Sequence, residues 1–492
     1  MVFIDGTVVN VALPALQRDL AANLSDVQWV VESYALFLAA LLLVGGAAGD
    51  RFGRRRVFSL GVALFAAASV WCGLAGGVRE LIVARAVQGI GGALLVPGSL
   101  AIISASFEER ERGKAIGTWS AATAVTTALG PVLGGWLIDH GSWRAAFFMN
   151  IPLAVVVLVL TQIHVPESRN AQSRGRIDWP GPLLVTLGLG AVVYGLIESS
   201  AAGWASPATV FPLLLSTVAL AGFIVVEMRH PAPMIALQLF RSRAFTGANL
   251  LTFLLYAALG GSLFFVPLNL IQVQKYSTTA AGAALLPLAL LLAVLSRWSG
   301  GLIDRHGANV PLVVGPVVAA CGFALFAVPG VGGSYWLTFF PAIVVVGLGL
   351  AISVAPLTTT VMNSVSTAYA GAASGINNAA ARIAGLLAVA LFGAIMIPIF
   401  NRSLHDRLNR VDIAPAVMEA VERQRSKLAA IELPSSVDPR SRTAAELAIE
   451  QAFVASFRWI MVVSSLFALA GAATAWALIG SANRRVGGDA PP

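Results

Sequence analysis

Charged residues are scarce in this sequence, and their scarcity excludes a water-soluble fold. Only 11% of the 492 residues are Asp, Glu, Lys or Arg, whereas soluble domains have about 25%. Hydrophobic residues make up 57% of the chain, and the mean hydropathy is +0.81. So much apolar surface needs a lipid bilayer as its solvent. The apolar runs are long and unbroken, which predicts an all-α polytopic membrane protein and argues against a β-barrel of short alternating strands.

Cysteine and histidine are also rare, and their positions do not fit catalysis or metal binding. Cys72 and Cys321 lie inside apolar runs, where we expect buried thiols without a disulfide. The five histidines lie near predicted loops or span ends, and no pair has the spacing of metal ligands. The glycine-rich stretch 89–92 is not followed by Gly-Lys-Ser/Thr, so ATP is not the expected driver. We predict no enzyme activity, no metal and no cofactor.

A short link at residues 45–56, between two apolar segments, combines glycines with a cluster of charge. Its glycines allow helix ends to approach other backbones, because glycine has no Cβ. Arginines in short loops are retained in the cytoplasm, so the link is predicted to face inward. A weaker copy at residues 300–307 implies two structurally related halves. The two copies consist of Gly46, Asp50, Arg51, Gly53 and Arg54, and of Gly300, Asp304, Arg305 and Gly307.

Thirteen segments are long and apolar enough to span a bilayer, and a shorter one precedes them. Residues 1–14 would rise about 21 Å as a helix, which is less than the hydrocarbon thickness of about 30 Å. Counted as a span that begins upstream, this segment makes fourteen. The thirteen are 28–48, 57–77, 81–105, 115–138, 145–164, 180–199, 207–227, 245–270, 279–300, 310–330, 336–358, 373–400 and 456–480.

The order of the spans predicts four regions. The first six spans occupy residues 1–164, and the last six occupy 245–480. Between them, residues 165–244 hold an inserted pair of spans with flanking cytoplasmic links, and residues 481–492 form a cytoplasmic tail. The segment 401–455 is charged and unusually long, and its apolar residues recur at helical spacing. An ordered external cap and a loosely ordered loop both fit this pattern.

Basic residues are concentrated in alternate short loops, which sets the predicted orientation. This alternation explains the net charge of +8 without nucleic-acid binding, and it places both termini in the cytoplasm. The even number of spans agrees with that placement. Met1 is followed almost at once by an apolar segment without a basic leader, so no cleavable signal peptide is predicted.

Ionisable residues inside the predicted spans are few, and each is a functional candidate because it is costly in hydrocarbon. Asp5 lies near the predicted midplane, where a lone carboxylate has no inexpensive structural purpose, so a functional role is favoured. For Glu32 a structural role and proton exchange are both open. Arg85 is an ion-pair partner, a coupling residue or both. Solvation near the interface is favoured for Glu198, and contact with local carbonyls or a loop for Arg382.

Three uncharged polar residues are further candidates for the wall of a substrate cavity. Gln88 lies on the predicted fourth span, and Asn377 and Asn378 lie on the thirteenth. Their side chains can hydrogen-bond a ligand or a neighbouring helix, and helix packing is the more frequent use. We include them with Asp5 and Glu32 as candidate cavity residues.

Several stretches together resemble the motifs of the fourteen-span drug:proton antiporters of the major facilitator superfamily, in the same order and over essentially the whole chain. The motif of the fifth span is typical of exporters, and the arginine of the fourth-span motif is linked to proton transfer in that family. The stretches are DGTVVNVALP at 5–14, GAAGDRFGRRR at 46–56, RAVQGIGGA at 85–93, Gly117 with GPVLGG at 130–135, and 143–152.

This resemblance implies two six-helix bundles, with the inserted hairpin between them, that rock around a central site. Asp50 would act in an inner latch with the neighbouring arginines. An external proton would bind Asp5, with Glu32 as a second candidate, and would displace a lipophilic, often cationic substrate. Export across the cell membrane by a monomer is the favoured activity, and the partners are the bilayer, the substrate and protons.

The antiporter motif of the fifth span is expected to serve helix packing. Small residues allow close contact between helices, and the proline allows a bend. The chain departs from the family pattern at Thr126, where glycine is usual, so Thr126 is expected to add bulk at a helix contact. The motif residues are Gly117, Gly130, Pro131, Gly134 and Gly135.

Two other classes of function are compatible with parts of the sequence. Proton-coupled uptake of a small metabolite would use the same fold, although the antiporter motif argues against it. A membrane enzyme would need a cluster of catalytic side chains, and a sensor would need a soluble output domain. Neither feature is present in the sequence.

Overall fold

The computed structural model describes residues 1–169, 180–230, 235, 237–366, 369–411, 415–434 and 437–479. Within these ranges the side chains at 109, 110, 112, 113, 116, 120, 121, 124, 297, 304, 370 and 416 are not described. The side chain of Asp304 and the tail 481–492 therefore lie outside the described residues. The regular structure in these ranges is helical, which agrees with the all-α prediction.

The helices are numbered here in chain order. Short 3-10 turns at Leu237–Arg241 and Arg425–Ala430 and π-helical turns at Asn269–Val273 and Ala475–Ile479 lie between or after them. The α-helices are α1 (Val2–Asp19), α2 (Leu24–Phe52), α3 (Arg54–Leu74), α4 (Val78–Ser106), α5 (Glu109–His140), α6 (Ala145–Phe148), α7 (Asn150–His164), α8 (Pro180–Ala202), α9 (Pro207–Arg229), α10 (Arg243–Leu268), α11 (Thr278–Ala284), α12 (Leu286–Gly300), α13 (Leu302–His306), α14 (Asn309–Phe326), α15 (Phe339–Asn363), α16 (Ala370–Leu408), α17 (Pro415–Gln424) and α18 (Pro439–Thr474).

Twelve helical segments in the described ranges are long and apolar enough to cross a membrane. The protein is therefore a multi-pass membrane protein, but the predicted count of fourteen spans is not supported. The other two predicted spans lie in α1 and α5. Helix α1 carries Asp5, Arg18 and Asp19 within 18 residues, and charges are costly in hydrocarbon. Helix α5 includes side chains that are not described, so the count of twelve does not test it.

The link between α2 and α3 is much shorter than the predicted loop. Helix α2 begins at a capping box, in which Asn23 and Asp26 each accept a hydrogen bond from the other's backbone N–H at 2.9 Å. It ends at Gly53, which has a φ of 112° that favours glycine. Helix α3 starts at the next residue. Most of the predicted loop is thus helical, and the chain reverses direction at one residue.

The helices form two groups and a hairpin. In the first group α2 and α3 pack on α4, α1 packs on α5, and α7 packs on α3. In the second group α14 packs on α15 and α18, α12 packs on α15, and α10 packs on α16 and α18. The hairpin of α8 and α9 contacts α2 from the first group and α16 from the second. The predicted domain boundaries stay a prediction.

The segment between α16 and α18 is helical over much of its described length, as its apolar spacing predicts. Val417, Val421 and Leu428 are buried in the hydrophobic core. The Gln17 side chain of α1 donates a hydrogen bond to the carbonyl of Lys427 at 3.0 Å. We call residues 415–434 the cap. The cap packs over the ends of α1 and α2, which favours an ordered cap over a loose loop.

Near the cap, α5 of the first group and α11 of the second meet with their backbones in close approach. A Cβ at Gly135 would lie 2.5 Å from the carbonyl oxygen of Thr278. The Asp139 carboxylate accepts hydrogen bonds from the backbone N–H groups of Thr278 (3.0 Å) and Thr279 (2.7 Å), and from the Thr279 hydroxyl (2.6 Å). We call this set the Asp139 contact. It joins the two groups of helices.

The Asp139 contact requires an ionised carboxylate. Partial burial raises the pKa of Asp139, but the hydrogen bonds from Thr279 and Thr278 outweigh that effect and hold the pKa below its usual range. A lowered pKa in the folded state means that the contact is complete above the ordinary aspartate pKa of about 3.9. It is lost as the pH falls through the lowered value.

Asp139→Ala should let the two groups separate more readily near the cap at neutral pH. The contact resembles a helix N-cap, whose loss costs about 0.5–2 kcal/mol. The measurement is the distance distribution between spin labels at positions 140 and 277 in vesicles, where the variant should populate longer distances. In wild type the same shift to longer distances should occur only at acidic pH, when the Asp139 carboxylate becomes protonated. Asp19→Ala is the matched control, because Asp19 bonds Trp143 and Arg144 within the first group. Identical distributions in wild type and Asp139→Ala would contradict the role of this contact.

Candidate functional site

A buried carboxylate lies at the centre of a polar network inside the first group of helices. Asp5 is in the first turn of α1, and its side chain is 0% exposed. Its Oδ2 accepts a hydrogen bond from Arg85 Nη1 of α4 at 2.5 Å. Its Oδ1 accepts from Gln88 Nε2 at 2.9 Å and from Asn150 Nδ2 of α7 at 3.0 Å. The carboxylate is thus bound by three donors from two other helices.

Arg85 is enclosed by groups that compensate its charge, and its side chain is 1% exposed. Besides Asp5, it donates to Gln88 Oε1 at 2.7 Å and to the Val30 carbonyl of α2 at 3.1 Å. Its guanidinium carbon lies 4.1 Å from the centroid of the Tyr34 ring, a cation–π distance. Helix α2 therefore contributes a carbonyl and an aromatic face to the arginine that α4 presents to α1.

Gln88 connects the ion pair to a second layer of polar groups. Its Nε2 donates to Asp5 and, at 2.8 Å, to Ser69 Oγ of α3. Ser69 in turn donates to the Phe65 carbonyl at 2.8 Å. The amide oxygen of Gln88 accepts from Arg85, so both ends of the amide have partners. This arrangement fixes the Gln88 side chain and orients the groups around Asp5.

The structure brings together residues that the sequence presented separately. Asp5, Arg85 and Gln88 form one network, so the expectation of a lone carboxylate at position 5 is wrong. Sequence reasoning missed Ser69 and Asn150 as partners. Asn150 lies within the matched stretch 143–152, and a polar residue amid apolar ones was the available signal for both. Neither residue type reveals which neighbour it will bond.

The two cysteines differ from each other in their surroundings. Cys72 is buried, as predicted, and its thiol lies 3.7 Å from Gln88 Oε1. Cys321 is exposed on α14, so its predicted burial is wrong. At that position α14 faces away from the protein interior. An apolar residue is expected there as well, because the lipid around a membrane protein is itself apolar. The two thiols are not bonded to each other.

A cavity of about 230 Å³ lies beside this network, between the two groups of helices. Residues of α1, α2 and α4 line one side of it, and residues of α10 and α16 line the other. Glu32, Arg85 and Arg382 are its charged lining residues. Glu32 is 1% exposed, and neither of its carboxylate oxygens has a hydrogen-bond partner among the described residues. Asp5 is not among the residues that line this cavity.

The other predicted cavity residues lie elsewhere. Asn377 donates to Thr252 Oγ1 of α10 at 2.7 Å and to Asn249 Oδ1 at 3.3 Å, so it joins two helices of the second group. Asn378 is exposed and donates to the Ser374 carbonyl of its own helix at 3.0 Å. Gln88 is wholly enclosed in the network. These three side chains are not part of the described cavity lining.

The charged link at 49–56 is held by a residue that sequence reasoning did not identify. Glu167, which follows α7, accepts from the backbone N–H groups of Arg55 (3.1 Å) and Arg56 (3.2 Å) at the start of α3. A Cβ at Gly53 would lie 2.7 Å from this carboxyl group. Gly53 is therefore required both by its positive φ and by the space that Glu167 fills. A carboxylate at a helix N-terminus is also favoured by the helix dipole.

The predicted latch residues lie mainly within their own link. Asp50 accepts from Arg54 Nη2 at 2.8 Å and from Arg54 Nε at 3.0 Å, and the pair is partly exposed. A Cβ at Gly46 would be 3.6 Å from Pro97, which is an ordinary contact, whereas one at Gly45 would be 2.0 Å from the Ala93 carbonyl oxygen. The close approach is thus made by Gly45. Arg51 lies on the exposed end of α2.

The second copy of the link is only partly comparable with the first. Gly307 has a φ of 72° after the short helix α13, so a glycine turn occurs in both copies. A Cβ at Gly300 would meet nothing within 4 Å. Arg305 is exposed, and the Asp304 side chain is outside the described residues. The second copy therefore shares the glycine turn with the first, and the latch role of its charged residues stays a prediction.

The antiporter motif packs α5 closely against α1 and α11. A Cβ at Gly130 would lie 2.1 Å from Thr7 Oγ1, and one at Gly134 would lie 2.5 Å from Val8 Cγ1. A Cβ at Gly282 of α11 would lie 2.1 Å from the Pro131 carbonyl oxygen. Together with Gly135, these residues leave no space for larger side chains at the helix contacts. The packing geometry is the one expected for small residues in membrane helices.

Two positions on α5 differ from the expectation. A Cβ at Gly117 would meet nothing within 4 Å, so a packing role there is not supported. Thr126 is exposed, and its hydroxyl donates to the carbonyls of Ala122 and Thr123 at 2.9 Å. The expectation that Thr126 adds bulk at a helix contact is therefore wrong in this state, because its side chain bonds to its own helix.

Removing one member of the buried pair should cost far more than removing both. Asp5→Asn or Arg85→Gln leaves the other charge buried without an opposite charge, which costs about 3–5 kcal/mol. Unfolding of the purified protein should show that the double variant loses less stability than the sum of the single variants. The exposed pair Asp19–Arg144 is the control, with an expected coupling of about 0–1 kcal/mol. Additive losses at Asp5 and Arg85 would contradict a direct interaction.

Comparison with solved structures indicates the fold. A bacterial homolog of the human lysosomal transporter Spinster, in an inward-facing and occupied conformation, has a TM-score of 0.62 to this chain at 17% identity. The alignment covers 97% of this chain and 94% of that one. A mutant of the nucleoside transporter NupG has a TM-score of 0.60 at 11% identity, with 97% of each chain covered. At these identities the similarity concerns the fold alone.

Sequence comparison gives closer relatives. The multidrug resistance protein Stp of Mycobacterium tuberculosis is 36% identical over 447 residues, which cover 90% of this chain and 80% of Stp. The tetracenomycin C resistance and export protein of Streptomyces glaucescens is 33% identical over 483 residues, covering 96% of this chain and 88% of that protein. The family description Major Facilitator Superfamily matches residues 1–389. The chain belongs to the Major Facilitator Superfamily.

Proposed function

We propose that this protein exports lipophilic, often cationic drugs or antibiotics in exchange for protons, by alternating access. The observation that carries the proposal is the buried Asp5–Arg85 pair, whose arginine also lines the cavity between the two groups of helices. The names of the relatives, which concern multidrug resistance and tetracenomycin C resistance and export, support this activity and its direction. In this proposal the protein is a transporter and has no catalytic residues.

Asp5 is the proposed proton site. It accepts hydrogen bonds from three donors, and one of them is the charged Arg85. The decisive donor is Arg85, because neutral Asp5 no longer compensates the arginine charge. Displacement of Arg85 changes the charge and shape of the cavity wall. Proton binding is thereby linked to the substrate site although Asp5 does not line the cavity.

Glu32 is the proposed acidic contact for a cationic group of the substrate. Its oxygens lack partners among the described residues, and it lines the cavity. A buried carboxylate without partners is costly, so a cation or a proton that reaches it is strongly favoured. Proton and cationic substrate would compete for this group, which is the requirement for exchange of one against the other.

Alternating access requires the contacts between the two groups to break and re-form. The Asp139 contact and the α5–α11 junction close the groups together near the cap. In the opposite state we expect these contacts to open and the link at 49–56 to engage the second group through Asp50, as a latch. We place the link and both termini in the cytoplasm, the cap outside, and a monomer in the cell membrane.

Asp5→Asn should abolish proton-driven transport while leaving the protein in the membrane. Asparagine keeps the size of the side chain but cannot exchange a proton, so substrate addition should no longer move protons. The measurement is the internal pH of reconstituted vesicles after addition of a panel of lipophilic dyes and antibiotics. Glu419→Gln, an exposed cap carboxylate, is the control and should retain wild-type proton movement. If Asp5→Asn moves protons at the wild-type stoichiometry, Asp5 is not the coupling residue.

A further inference from the structure

The cavity between the two groups of helices is lined by two ionisable side chains of opposite sign that are not paired with each other. Glu32 projects from α2 of the first group, and Arg382 belongs to α16 of the second. The two side chains do not form an ion pair among the described residues. The third charged lining residue, Arg85, is already compensated by Asp5, Gln88 and the Val30 carbonyl.

Arg382 has neither a hydrogen bond nor an ion pair with the part of the chain that the structure describes. The expectation that it satisfies local carbonyls is therefore wrong here. Its electrostatic neighbour across the cavity is Tyr34, whose ring is already covered by Arg85. A guanidinium carries five donors in a planar fork that suits carboxylates. The fork of Arg382 is thus available to a ligand in the cavity.

Glu32 is buried without a hydrogen-bond partner among the described residues, which is costly. Arg382 is partly exposed and lines the same cavity, so one ligand can reach both side chains and compensate both. A permanent monocation would compensate Glu32 but would be repelled by Arg382. A simple organic anion would compensate Arg382 but would be repelled by ionised Glu32. A molecule that carries one acidic and one basic group on an apolar body would match both charges. The apolar part of the wall that would contact such a body includes Val9, Val31, Leu38, Phe264 and Leu386.

We infer that Arg382 is an anion-binding residue of the substrate site, and that the preferred substrates are amphoteric. The acidic group of the substrate binds Arg382 on the second group of helices, and its basic group binds Glu32 on the first. The substrate therefore bridges the two groups through charge. This inference rests on the proposed export function and narrows its substrate class.

The test uses two small probes that differ only in the acidic group: a fluorescent coumarin-bearing amino acid and its methyl ester. Both carry the same basic amino group, but only the first is amphoteric. Binding to the full chain in vesicles is measured by fluorescence titration. Wild type should bind the carboxyl-bearing probe more tightly, by about tenfold, which corresponds to the loss of one hydrogen-bonded charge contact.

Arg382→Gln should remove that preference in two ways. Binding of the carboxyl-bearing probe should weaken about tenfold, whereas binding of the ester, which Arg382 repels, should stay the same or become tighter. Arg382→Lys keeps the charge and should retain most of the preference. Arg402→Gln is the matched control, because Arg402 is exposed on the same helix and lies outside this cavity. Near-equal binding of both probes to wild type, or equal effects of Arg382→Gln on both, would overturn the inference.

The outcomes separate this inference from the proposed function. If wild type does not bind the acid more tightly than the ester, but compounds of a wider drug panel still move protons, the export function stands and the role of Arg382 is rejected. If wild type binds neither probe and no compound of a wider drug panel moves protons, both the export function and the substrate class are rejected. If wild type prefers the carboxyl-bearing probe, and Arg382→Gln abolishes this preference while Arg382→Lys preserves it, the result supports both the role of Arg382 and the amphoteric substrate class.

Discussion

The ion pair between Asp5 and Arg85 is the interaction on which the first group of helices depends. In hydrocarbon no water replaces a lost partner, so a buried charge must find its compensation within the protein. Five helices provide groups for this one pair: α1, α4 and α7 directly, α2 through Val30 and Tyr34, and α3 through Ser69. The rotation of each helix about its axis is thereby constrained. A change in the protonation of one carboxyl group acts on all five.

Close backbone contact stabilises the association of these helices, because the hydrophobic effect does not drive helices together within a bilayer. Lipid tails are as apolar as leucine, so helices associate through packing and hydrogen bonds. Gly45 packs on the Ala93 carbonyl, and Gly91 approaches the Phe65 backbone, where a Cβ would lie 2.7 Å from the nitrogen. Similar approaches join α5 to α1 and to α11. The same helix, α5, therefore connects the charged network to the contact between the two groups.

The sequence was sufficient to predict the class of fold and the main charged residues, because both follow from local properties. Long apolar runs predict helices in a bilayer, and a charged residue within such a run can be recognised directly from the sequence. The count of spans was less accurate, because α1 carries charges such as Asp5 that are compensated by distant residues. The partners of Asp5 and the role of Glu167 depend on contacts between residues far apart in the chain. No local pattern records such contacts, and Arg382 differs from Arg85 only in what surrounds it.

The carboxylate of Glu167 has a mechanical consequence. Together with the hydrogen bond from Arg54 N–H to the Ser168 carbonyl at 2.9 Å, it ties the exit of α7 to the start of α3. The chain from α3 to α7 is thus closed into a loop whose ends are held in register. Helix α2 enters this loop at Gly53, packs on α4, and pairs its Asp50 with Arg54 of α3. The end of α2 and the exit of α7 are therefore both fixed to the start of α3, so a movement of this link carries the three helix ends together.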